Sequence, residues 1–214
     1  MTTAAEPGVS RREAAVSALL VFAVALLARW LAASIVVFPK PEDTAYYVEV
    51  ARNLLEGRGL VADSLWSYQT PPLTVPRDAF EVWLPLPTFL AAIPMAILGP
   101  SFPAAQVSSV LVGALVPVLA WRLAADVADL RGLGRERART LAIGTGITAA
   151  VSLPLLLHSA LPDSTMPFAA ITLGASLLMS RIVAGANEGG PIRLTHPAVL
   201  GLGVLLGLAA LTRN

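Results

Sequence analysis

The 214-residue chain contains no cysteine, which removes disulfide frameworks, thiolate catalysis and sulfur-ligated metals together and leaves the redox compartment unread. Histidine is nearly absent too. His158 and His196 fall at opposite ends of different segments, so a histidine-based metal site is not expected. Charge is scarce, at 14% of positions against 56% hydrophobic, and the mean hydropathy is +0.71. That much apolar surface exceeds what a soluble core of this length can hide, so a bilayer must be the solvent. The formal net charge of +1 supplies neither the basic field that attracts nucleic acid nor an acidic solubilising tail, and no nucleic-acid partner is expected.

What is abundant is apolar sequence in long runs. After a polar tail over 1–13, the run from Ala14 to Phe38 is about 25 residues, long enough to span as a helix and too long for a cleavable signal segment. Further runs are Trp83 to Leu98, Ala104 to Ala125, Leu141 to Leu157, Pro167 to Ile182 and Pro197 to Leu211. The loops between them differ in sign. Arg11 and Arg12, then Arg122, Arg131, Arg135, Arg137 and Arg139, then Arg181 and Arg193 form basic clusters, whereas the long segment 39–82 is acidic overall. The positive-inside rule places all three basic clusters in the cytoplasm, which holds only if Trp83 to Leu98 does not cross. Pro85, Pro87 and Pro94 agree, since each removes a backbone donor where hydrocarbon offers no substitute.

The expected fold is therefore an all-α polytopic membrane protein: a membrane domain over 14–214 with about five transmembrane helices, amphipathic or interfacial helices in a first extracytoplasmic loop over 39–82, and an interfacial or re-entrant segment over 83–99. The N-terminus is expected in the cytoplasm. The chain stops at Asn214 directly after an apolar helix, and a fragment of a longer protein is expected.

Within the outer loop, Tyr47, Val50, Ala51, Leu54 and Leu55 recur at helical spacing, which predicts a short helix on the membrane surface. Asp43 sits just before it, where a carboxylate caps free amides. The stretch Asp43-Thr44-Ala45-Tyr46-Tyr47, followed by ARNLLEGRGL, resembles the first extracytoplasmic loop of the GT-C fold glycosyltransferases related to protein O-mannosyltransferases and aminoarabinose transferases. The resemblance extends to a PPL-like region at Trp83 to Pro87, although the lysine that often precedes it in relatives is absent, to Ser159 to Asp163 before a helix, and to GLAALTR ending at Arg213.

The resemblance implies transfer of a sugar, with inversion, from a polyprenyl-phosphate-linked donor to an acceptor hydroxyl of a protein, lipid or polysaccharide on the outer face of the cytoplasmic membrane. Asp43 matches the aspartate at the family's catalytic centre and is the candidate general base. Arg213, at the outer end of the last helix, is the candidate for the departing phosphate, with a snorkelling arginine at a helix end as the alternative. Asp78 and Glu81 are candidates to orient substrate or share a divalent metal; no metal is assigned. Asp163 is a secondary candidate that could instead cap the next helix. Tyr46 and Tyr47 could line the substrate site or, like Trp30, Trp83 and Trp121, be interface aromatics. Arg29 lies inside the first span, where a charge needs a carboxylate or a polar cavity. The alternative function is a transporter or flippase for a lipid-linked or small solute, whose ionisable groups would cluster at membrane depth, and a non-catalytic membrane subunit is the third.

Overall fold

Runs rich in alanine and leucine carry few side chains that compete for backbone hydrogen bonds, and they fold as helices. The computed structural model describes residues 11–39, 42–66, 69–187 and 196–213. In chain order the elements are α1 (Arg11–Ile35), α2 (Glu42–Leu55), β1 (Val61–Ala62), β2 (Arg77–Asp78), α3 (Leu86–Leu98), α4 (Phe102–Leu130), α5 (Arg135–Val151), α6 (Leu153–Ser159), α7 (Thr165–Asn187) and α8 (Pro197–Ala210). The tail before residue 11, Lys40 and the loop with Arg193 lie outside the described residues.

Three helices, α1, α4 and α7, are long and apolar enough to cross a membrane. Helices α5 and α6, bent by 56° at Ser152, make a fourth if the pair is one broken span. The outer face of α1 has no protein cover, since Leu19, Leu27 and Ile35 are 68%, 61% and 79% exposed, which suits lipid and not water. Of the five expected crossings, the last rests on α8. Its 14 residues reach about 21 Å at the helical rise, short of a hydrocarbon core of about 30 Å. The 13 residues of α3 are shorter still and carry Pro94 inside the helix.

Helix ends are set by local chemistry. The Ser101 side chain accepts the Ala104 amide at 3.4 Å to start α4, and His196 Nδ1 accepts the Ala198 amide at 3.2 Å to start α8, each followed by a proline in the first turn. Helix α4 is the hub, packed against α1, α3, α5, α6 and α7. Close approach there depends on two glycines. A Cβ on Gly146 would meet Trp121 Cβ and the Val21 methyls at 3.0 Å, and one on Gly113 would meet Ser159 Oγ at 2.3 Å. Trp121, expected at the interface, is 8% exposed and belongs to this packing, while Trp30 faces outward.

Arg29 finds no carboxylate. Pro154 has no amide to give Ala150, four residues earlier, and Arg29 Nη1 donates to that carbonyl at 3.0 Å instead. The same nitrogen reaches Ala25 O at 3.2 Å, and Nε donates to Ser159 Oγ at 3.0 Å. A buried cation thus replaces the donor that the helix break removes.

The two ends of the bundle are distinct. At one end Gln106 Nε2 donates to Ala33, Val36 and Ala160 carbonyls at 3.3, 3.0 and 2.8 Å, tying α1, α4 and α6 together beside α2 and α3. At the other end Arg135 pairs with Glu13 at 2.5 Å, among the arginines of the α4–α5 turn. The acidic loop and the arginine-rich turn therefore sit at opposite ends.

Candidate functional site

Helix α2 carries three of the candidate residues, Asp43, Tyr46 and Tyr47. It begins at Glu42, so Asp43 lies inside the first turn and not ahead of it as the cap; carboxylates are favoured in that turn as well. Nor does α2 lie loosely on a surface. Val48 and Ala51 pack against Ala91, Met95, Phe102 and Ala105 of α3 and α4, while Tyr46, Tyr47 and Val50 pack against Ala62, Trp66, Phe80 and Trp83 of the loop. Tyr47, Val50 and Ala51 are buried as expected, and the buried face is wider than that stripe, because Tyr46 and Val48 are also inside while Leu55 is 38% exposed.

One turn after Asp43, the Tyr47 side chain is 1% exposed. Its hydroxyl shares a hydrogen bond with Ser164 and feels the charges of Asp43 and Asp163. Burial, followed by the Asp43 carboxylate, pushes its ionisation up to about 12, so it stands as a neutral phenol between two acids. Asp163 is itself buried, with Oδ1 accepting the Thr165 amide at 2.8 Å and Oδ2 lying 2.7 Å from His158 Nδ1. The capping role expected for Asp163 is real, and it occupies one oxygen only. Asp43, Tyr47, Ser164, Asp163 and His158 thus form one constellation drawn from α2, the last turn of α6 and the turn that follows it. His158 was not singled out by its sequence position; the only signal is a histidine five residues before an aspartate across a proline turn.

Tyr46 has a different task. Its hydroxyl accepts the Phe80 amide at 2.7 Å, its ring lies 5.8 Å from Tyr47 and 6.4 Å from Trp66, and Trp66 lies 5.7 Å from Trp83. Burial, opposed by the Phe80 bond and aided by Glu49 and Glu81, raises its ionisation. Both tyrosine rings are therefore buried within the protein and not exposed on its surface.

The loop beyond is fastened by ion pairs. Arg58 forks onto Asp63 at 2.5 and 2.7 Å, Asn53 bonds both, and Glu49 accepts the Asp63 amide at 3.1 Å and the Ser64 hydroxyl at 2.9 Å. Glu81 is committed to Arg77, at 2.8 Å, and to Gln69. Asp78 is exposed, paired through its backbone with Val61 in the two-residue ladder. Neither Asp78 nor Glu81 joins the charges acting on Tyr47. Among the described residues, no three histidine, aspartate or glutamate side chains converge as a metal site.

Arg213 is exposed just past α8. The carbonyl of Leu211 accepts the Leu86 amide at 3.0 Å, and Pro87, next to Leu86, lines a small crevice with Ser109, Pro162 and Asp163. The end of α8 therefore abuts the same end of the bundle as the aspartates. No known protein family, curated protein or solved structure matches this chain.

Proposed function

We propose that this membrane protein is an inverting glycosyltransferase that moves a sugar from a polyprenyl-phosphate-linked donor to an acceptor hydroxyl on the extracytoplasmic face. The observation that carries this is the meeting of Asp43 and Asp163, from opposite halves of the chain, at Tyr47 on the end of the bundle away from the arginine-rich turn. Asp43 takes the acceptor proton as the hydroxyl oxygen attacks the anomeric carbon, and the bond from that carbon to the phosphate oxygen breaks. Polyprenyl phosphate leaves with the electron pair, and the Arg213 guanidinium neutralises it. A single displacement inverts the anomeric centre. Tyr47, buried and hydrogen-bonded to Ser164, backs the site from α2, and the His158–Asp163 pair fixes the turn that faces it.

The transporter reading drew on Arg29, and the proposal assigns that guanidinium to the break between α5 and α6. The two readings part in one experiment. Membranes containing the full protein are supplied with labelled polyprenyl-phosphate sugars and the endogenous lipid, protein and polysaccharide fractions are counted. Label covalently joined to an acceptor is expected; donor that changes leaflet with no acceptor labelled would make the protein a flippase.

A further inference from the structure

The arginine-rich end holds a cavity that the proposed chemistry does not use. It measures about 240 Å³ and opens between the first turns of α1, the last turns of α4 and the first turns of α5. Alanines of all three helices and Trp121 give it apolar walls, Asp129 and Arg139 stand solvent-exposed at its mouth with the half-buried Arg122, and the buried Ser17 lines it. A Cβ on Gly146 would meet Trp121 Cβ and the Val21 methyls at 3.0 Å, so a side chain there would crowd a residue that lines the cavity.

The charges at the mouth are arranged unlike the other ion pairs of the molecule. Arg122 holds Asp126 with one terminal nitrogen at 2.5 Å, yet its Nε is buried without a hydrogen-bond partner. Among the described residues neither Arg139 nor Asp129 has an ion-pair partner, although both line this one cavity. Two opposite charges that share a space and do not meet suit a ligand carrying both signs a few bonds apart. A purely anionic ligand would set its charge against Asp129, and a purely cationic one against the arginines. The cavity also lies at a helix end, the depth at which phospholipid headgroups sit, and clefts with basic side chains between spanning helices are recurrent headgroup sites.

We propose that this cavity binds the headgroup of phosphatidylethanolamine, with the phosphate on Arg122 and Arg139 and the primary ammonium on Asp129. The apolar walls take the glycerol and first methylenes, and Ser17 adds a hydroxyl near the phosphate. Phosphatidylcholine carries both signs but meets Asp129 by charge alone, since a quaternary ammonium has no proton to give it, and phosphatidylglycerol has no cation at all. The inference rests on the membrane location of the bundle and not on the sugar chemistry at the opposite end.

Lipid retention tests it on the intact protein. Purified protein is exchanged into mixed micelles of phosphatidylethanolamine, phosphatidylglycerol and phosphatidylcholine in equal amounts, and the lipids that survive gentle desolvation are weighed by native mass spectrometry. Wild type is expected to retain phosphatidylethanolamine over both others. Arg122→Gln with Arg139→Gln is expected to weaken that retention by at least about tenfold, whereas Arg131→Gln with Arg137→Gln, equal in lost charge but outside the cavity, leaves it unchanged. Asp129→Asn, which keeps the packing, is expected to turn the preference toward phosphatidylglycerol. Equal retention by wild type and the Arg122/Arg139 variant, a wild-type preference for either other lipid, or an unaltered preference in Asp129→Asn would each overturn the assignment.

Discussion

The residue that ties the outer loop to the site is Tyr46. Phe80 holds a left-handed backbone at φ 69°, a conformation that costs a non-glycine residue on the order of 1–3 kcal/mol, and its amide is satisfied by the Tyr46 hydroxyl. Tyr46→Phe is expected to cost about 1 kcal/mol and to speed hydrogen exchange over 77–83. Tyr47 gives a second test of geometry. Its folded ionisation, near 12, lies above the ordinary value of 10.0, so the stabilisation it contributes is complete below 10 and is lost as pH rises from 10 to 12. Asp43→Asn removes one of the two carboxylates acting on it and should bring its titration, followed by resonance of labelled tyrosine, back toward 10; an unmoved titration would separate Asp43 from Tyr47. The sequence motif pointed to Asp43 and its tyrosine neighbours because they are contiguous. It missed His158, because a side-chain pair made across the Leu161–Pro162 turn has no periodicity to announce it.

Among the elements, the broken helix α5–α6 makes the strongest demand. Arg29→Met would leave the Ala150 carbonyl without a donor in an apolar surrounding, at a cost of about 1–3 kcal/mol. With Pro154→Ala in place an amide returns at that position, so the cost of Arg29→Met should shrink in the double variant. Gly113→Ala places a methyl 2.3 Å from Ser159 Oγ and is expected to lower stability by about 1–3 kcal/mol. Melting temperatures in detergent of wild type, Arg29→Met, Pro154→Ala, their double variant and Gly113→Ala read these costs, and a cost of Arg29→Met equal with and without Pro154 would deny the coupling. Pro154 and Arg29 are each conspicuous in the sequence, one as a helix breaker and one as a charge in a span. Their partnership is not, since the acceptor is a backbone carbonyl on a distant helix. Helical spacing finds Tyr47, Val50 and Ala51 in the buried face of α2 but not its width: that helix is covered on two sides, by α3 and α4 and by the loop, so a one-sided stripe takes in Leu55 and leaves out Tyr46 and Val48.

For the whole molecule, sidedness is the question that links fold to function. The long runs of α1, α4 and α7 stand out in composition alone, as does the weakness of 83–99 as a span, while α8 at 14 residues shows that apolar character is easier to read than the length of regular helix. A chain without cysteine is its own background for labelling. Asp78→Cys, on the exposed acidic loop, should react with a membrane-impermeant maleimide in intact cells, and Arg137→Cys only after permeabilisation; the reverse pattern would turn the site inward and remove it from an outer-face donor. The most direct test of the account is transfer of labelled sugar from polyprenyl phosphate by wild type and by Asp43→Asn at matched abundance. Loss of the general base predicts a fall of about 10²–10⁴-fold in rate with the protein still folded. Transfer within a few-fold of wild type would contradict the account and reduce Asp43 to a charge at a helix start.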